Sequence, residues 1–123
     1  MGDLDNVKKL ADKVKGMTSS LDLLVNNAGF TVLNYTKSKQ GYESTQAVNF
    51  IAPFYLTHLL FPLLKRSKES RIINVSSRAA YRGVMHLQTT DKDGVVLPHD
   101  CLLEGLDPLK YGQFGAYGKS KLN

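Results

Sequence analysis

Cysteine is almost absent: Cys101 is the only one in 123 residues. A single thiol excludes an internal disulfide framework and a cysteine-based metal site, and it makes a reducing compartment the default. The N-terminus, MGDLDNVKKLADK, carries no apolar signal core. Asn6 spoils the myristoylation pattern that Gly2 would open. Long hydrophobic runs are missing too. The most apolar stretch, Phe50 to Leu64, is 15 residues long and is interrupted by Pro53, His58 and Pro62, too short for a transmembrane segment. His58, His86 and His99 lack metal-ligand spacing, and no strand–GxGxxG–helix phosphate loop occurs. The SKL at 120–122 is followed by Asn123, so it is not a C-terminal peroxisomal tag. The expectation is a cytoplasmic chain with no metal.

The charge balance is +5, with a pI near 9.4. The basic residues are scattered from Lys8 to Lys121, and the densest groups, KRSK at 65–68 and KSK at 119–121, fall at expected helix ends. That distribution describes a solvated surface rather than a nucleic-acid partner.

Apolar positions Leu4, Val7, Leu10, Ala11, Val14 and Met17 recur at helical spacing, with Asp3 placed to cap the start and Gly16 near the end. LDLLVNNAG then reads as a short buried strand, Leu21 to Val25, stopping at a turn. A polar loop leads to a long apolar helix from Tyr42 to about Lys65, in which Pro53 should kink or break the helix. RIINVSS, from Arg71, reads as a second buried strand. A strand–helix–strand unit of this length forces parallel pairing. Asp93-Gly94 suits a tight hairpin turn. A helical pattern resumes near Phe114.

Two strands and an open edge make an incomplete α/β doubly wound sheet, so the chain is expected to be a fragment or to draw its neighbours from elsewhere.

Tyr-x-x-x-Lys occurs twice, as YTKSK at 35–39 and YGKSK at 117–121. Six tyrosines and twelve lysines give roughly 0.6 chance matches, so the pattern alone decides nothing. Context separates the two. In open α/β sheets, ligands bind beyond the C-terminal strand ends, which selects NNAG at 26–29 and Ser76-Ser77. Small residues at Ala28 and Gly29 would let a flat ligand approach the backbone. On a helix, Tyr117 and Lys121 share a face, and an ammonium near a phenol favours the phenolate, which makes tyrosine a usable acid/base.

LVNNAG, AVNF, IINVSS and YGKSKLN, in that order from about residue 21 onward, resemble the short-chain dehydrogenase/reductase family. INVSS and YxxSKLN are most similar to its retinol dehydrogenase and carbonyl reductase branch. The resemblance implies a partial NAD(P)-binding Rossmann-like domain over 1–123, the central βαβ portion plus the start of the catalytic helix. It implies hydride transfer between NAD or NADP and an alcohol/carbonyl substrate, which the branch makes a retinoid-like or other lipophilic aldehyde or ketone. Tyr117 would be the acid/base. Lys121 would bind the nicotinamide ribose and depress the Tyr117 pKa. Ser77 would position the substrate oxygen, and Asn49 would hold the water of a proton relay. Asn26, Ala28 and Gly29 would border the adenosine half, and Val75 and Ser76 the nicotinamide. The family also commonly dimerises through the region equivalent to helix 42–66. Three departures stand out. The glycine-rich loop and the acidic residue after the family's second strand are absent, as is the substrate-facing C-terminal half. Ser77 and Tyr117 are 40 positions apart, longer than the family usually shows, which points to an inserted loop over 87–110. A truncated, non-catalytic fragment acting through protein association is the alternative.

Overall fold

The computed structural model describes residues 1–82, 89–90, 96–97 and 113–121. Helix α1 spans Leu4–Met17, the bounds that its periodicity predicts. Asp3 caps it by accepting the Asp5 backbone N–H. Gln40 reaches across from the following loop, accepting the Leu4 N–H at 3.2 Å and donating to Asp3 at 3.2 Å. The buried face is narrower than the spacing suggests. Val7 and Ala11 are fully enclosed, while Leu10 and Met17 face solvent.

The Gln40 carboxamide, the Asp5 N–H and the Lys39 ammonium hold the Asp3 carboxyl below its usual range, against a smaller opposing effect of burial. A depressed carboxylate contributes stability above its unfolded pKa and loses it as pH falls through the folded value. The first turn of α1 is therefore expected to fray as pH drops below about 4. Amide hydrogen exchange at Asn6 and Val7 checks this: Asp3→Asn should remove the acid dependence, and an acid dependence unchanged in that variant would refute the assignment.

Strand β1 (Leu23–Asn26) and strand β2 (Arg71–Asn74) pair in parallel, with Leu24 opposite Ile72 and Asn26 opposite Asn74. Between them runs a helical column of three parts: α2 (Ser44–Gln46), a π-turn (Ala47–Ile51) and α3 (Ala52–Leu64). Glu43 caps it, its two carboxylate oxygens accepting the Thr45 and Gln46 N–H groups at 2.8 Å. Pro53 falls at the start of α3 rather than at a break. The wider π-turn just before it is where a ladder lacking one N–H accommodates the change.

The core lies between α1 and α3. Val7 and Ala11 meet Ala52, Leu56, Leu60 and Leu63, and Leu24 of β1 packs against them. Side chains alternate across a strand, so Leu23 and Val25, with Ile73 opposite Val25, point away from this layer. They are 49%, 47% and 45% exposed. The sequence reads both strands as buried, and the structure corrects this. Among the described residues the helices cover the sheet mainly at Leu24 of β1, and every residue of β2 is exposed, Ile72 opposite Leu24 included.

Helix Ser44–Leu64, 21 residues, is long and apolar enough to cross a membrane by length and composition. The run of Phe50 to Leu64 understates it because the helix starts six residues earlier. Much of it is nonetheless spent on the protein interior, with Ala52, Leu56, Leu60, Leu63 and Leu64 buried.

A 3₁₀ turn, Arg78–Arg82, follows β2. Strands β3 (Thr89–Thr90) and β4 (Val96–Leu97) pair antiparallel on either side of the expected hairpin turn. That turn, and the rest of the expected insertion at 87–110, lie outside the described residues. Helix α4 spans Gln113–Ser120 and packs on the 3₁₀ turn and on α2.

Candidate active site

The C-terminal ends of two parallel strands leave the chain on one rim, and α4 delivers its last turn to that rim. Two contacts fasten it, and a third closes its own turn. The Ser76 hydroxyl donates to the Lys121 carbonyl at 2.7 Å. The Lys121 ammonium donates to the Val75 carbonyl at 3.0 Å. The Lys121 N–H closes the helical turn onto the Tyr117 carbonyl at 3.2 Å. Lys121 is consequently only 8% exposed. An ammonium has three donors, so the bond to Val75 leaves two for other acceptors.

Asn49 ties the helical column to both neighbours. Its side-chain oxygen accepts the Phe30 N–H at 2.9 Å, and its amide donates to the Phe30 carbonyl at 2.9 Å. The same amide donates to the Ser120 hydroxyl at 2.8 Å. Ser120 in turn donates to the Tyr117 carbonyl at 2.7 Å. Asn49 sits in the π-turn, and its α-helical donor four residues on is Pro53, which has no N–H to give.

Ser77 accepts the Ala79 N–H at 3.2 Å, opening the 3₁₀ turn on which α4 rests. Tyr117 is half-buried. The Asn26 carboxamide donates to Thr57 at 3.0 Å and to Asn74 at 2.8 Å, so it cross-links β1, α3 and β2, and the Asn26 backbone carbonyl accepts the Val75 N–H. Ala28 and Gly29 follow in the turn. A Cβ at Gly29 would come within 3.0 Å of the Lys121 Nζ, so on that side Lys121 lies in the space that the sequence offers to a flat ligand.

Two concavities meet at Lys121. One, of about 490 Å³, is floored by Asn26, Asn74 and Ser76 and walled by Phe50, Phe54 and Ile72. The other, a shallower groove of about 560 Å³, is lined by Ser76, Ser77, Arg78, Ala80, Tyr81 and Lys121. Ser77 lines the second, which makes it the groove where its hydroxyl can meet a ligand.

The second Tyr-x-x-x-Lys is placed elsewhere. Residues 35–39 are not helical, and Lys39 is engaged by Asp5 and Asp3 at the start of α1. Their loop returns through Gly41, whose φ of +90° is a conformation glycine adopts readily.

Sequence reasoning passes over Ser120 and Thr57. A hydroxyl three residues after the tyrosine, inside the motif itself, signals Ser120: it reaches back to the Tyr117 carbonyl. Thr57 carries no local signal, since its partner Asn26 is 31 residues away.

A parallel strand pair with its crossover helix, and a further helix set against the strand ends, define an incomplete Rossmann-like α/β fold. The model of the family described as short chain dehydrogenase matches residues 1–90, and the chain belongs to that family. Retinol dehydrogenase 11 of Homo sapiens is 41% identical over 87 residues, covering 68% of this chain and 27% of that protein. Among solved structures, an uncharacterised protein of Mycobacterium paratuberculosis superposes with a TM-score of 0.73 at 31% identity, over 98% of this chain and 37% of that one. The RhlG/NADP active-site complex of Pseudomonas aeruginosa superposes with a TM-score of 0.60 at 26% identity, over 98% and 40%. The chain spans about a third or less of the length of the first curated relatives it matches.

Proposed function

We propose that the protein containing this chain is a nicotinamide-dependent oxidoreductase that interconverts an alcohol and a carbonyl compound. The observation that carries the reading is the Tyr117–Lys121 turn, held at the strand rim by Ser76, Val75 and the Asn49–Ser120 link. The bound nicotinamide supplies the hydride on reduction and accepts it on oxidation.

The remaining steps belong to this chain. The Ser77 hydroxyl donates to the carbonyl oxygen and orients it. The Tyr117 phenol gives that oxygen its proton as negative charge develops there. Lys121 lies one turn along the helix and offers the donors that Val75 leaves free to the nicotinamide ribose. A water on the Asn49 carbonyl passes the replacement proton toward Lys121, and Pro53 favours this because it cannot claim that carbonyl.

Of the residues expected around the nucleotide, Val75 and Ser76 fit the nicotinamide end, where they already hold Lys121. Asn26, Ala28 and Gly29 border the adenosine half in this reading, with the Asn26 side chain turned to the sheet and helix. NAD and NADP are both admitted, and the NADP complex of the Pseudomonas aeruginosa relative favours testing NADP first. The name of the Homo sapiens relative makes a lipophilic aldehyde or ketone the substrate class to try first. A homodimer through α3 belongs to the same reading, since Phe54 and Phe61 leave its outer face apolar and exposed.

Calorimetric titration with NADPH and NADH tests the proposal, followed by nicotinamide absorbance during incubation with a long-chain aldehyde. Saturable binding and aldehyde-dependent oxidation of the nucleotide are expected. Absence of both in the whole protein that contains this chain, folded by circular dichroism, would sink the reading; the isolated 123-residue chain is expected to bind the nucleotide poorly.

A further inference from the structure

We propose that Gly29 is a positioning residue for Lys121: its missing side chain is the space in which the lysine ammonium and the Asn49 carboxamide sit side by side. A Cβ built at Gly29 would lie 3.0 Å from the Lys121 Nζ, 3.1 Å from the Asn49 Oδ1 and 3.4 Å from the Lys121 Cε. Such approaches are tighter than nine in ten of those that real Cβ atoms make, so a methyl group there must push a neighbour back by a few tenths of an ångström.

The backbone gives no competing reason for glycine. Gly41 is the glycine with a positive φ among the described residues, so Gly29 adopts a conformation open to any L-residue. Glycine is therefore required at this position by what lies beside it.

The two neighbours are unequal in freedom. The Asn49 oxygen is fixed by the Phe30 N–H, and its amide is held by Phe30 and Ser120. Releasing Asn49 would break three hydrogen bonds, one buried and two partly buried. The Lys121 ammonium is held by one bond to the Val75 carbonyl at the end of a flexible stem. A methyl group at position 29 thus pushes the lysine first, by a few tenths of an ångström, and weakens its single bond to Val75. The turn after β1 thereby sets the height of the ammonium above the rim, 92 residues along the chain from where it acts. The inference rests on the reading of Lys121 as the working ammonium, but its test reads placement rather than turnover.

Competitive acylation of the intact protein, followed residue by residue by mass spectrometry, reports the accessibility of each lysine. In the parent protein Lys121 should label more slowly than Lys119. In Gly29→Ala its labelling should rise several-fold relative to Lys119. Gly115→Ala, which puts a methyl group into α4 where nothing lies within 4 Å, should leave the ratio unchanged. An unchanged Lys121 ratio in a folded Gly29→Ala protein overturns the proposal, whatever its nucleotide binding or activity. If Gly29→Ala does not fold, the double variant Gly29→Ala/Lys121→Ala decides. Recovery of a cooperative thermal transition on removing the lysine side chain supports the steric assignment, and failure to recover refutes it.

Discussion

Tyr117→Phe is expected to lower kcat/KM by about 10²–10⁴-fold, the usual contribution of a positioned proton donor. The substitution deletes one oxygen and leaves the ring, so the half-buried packing of α4 on the 3₁₀ turn should survive. Nucleotide affinity should change little, because the reading gives the ribose to Lys121. Tyr35→Phe is the internal control. It alters the same residue type in the same Tyr-x-x-x-Lys pattern, but in a non-helical loop whose lysine is engaged at the start of α1. Steady-state reduction of the aldehyde by both variants separates the two motifs. Equal losses in both, or no loss in Tyr117→Phe, would remove Tyr117 from the chemistry.

Asn49→Leu is expected to cost about 2–4 kcal/mol of folding stability. Leucine keeps the branched outline but can make none of the three bonds. It strands the Phe30 N–H and carbonyl and deprives Ser120 of a donor. A buried group left without a partner costs about 1–3 kcal/mol, and Phe30 is partly exposed, so water relieves its two groups and keeps the total below the sum. Urea unfolding followed by circular dichroism measures the difference. The same variant should lose activity even where it remains folded, because Asn49 joins the Phe30 turn to the last turn of α4. Ser120→Ala breaks one arm of the link and should cost less than Asn49→Leu. A larger loss for Ser120→Ala would show that Asn49 is not the hub.

The bounds of α1 follow from the cap at Asp3 and an apolar repeat of three and four residues, both local features. The parallel pairing of β1 and β2 follows from the length of the intervening connection, which admits no hairpin. The separation of YGKSK from YTKSK was also legible, because strand ends and helical spacing lie within short stretches. Burial was harder to read. Leu23, Val25 and Ile73 have the composition of interior strands, yet they are half-exposed, since burial depends on a second layer rather than on the strand itself. Pro53 announced a disturbance but not its form, because a π-turn and a kink meet the same missing N–H in different ways.

By itself, then, the sequence determined the helices, the order of the strands and the tyrosine–lysine pair one turn apart, since each rests on side chains only a few residues from one another. Only the tertiary structure decided that Asn26 cross-links the two strands to α3, that Ser120 is the second arm of Asn49, and that the space beside Gly29 belongs to Lys121. These contacts join residues 31 to 92 positions apart. Close packing selects such partners by shape and hydrogen-bond geometry, and no periodicity along the chain records them.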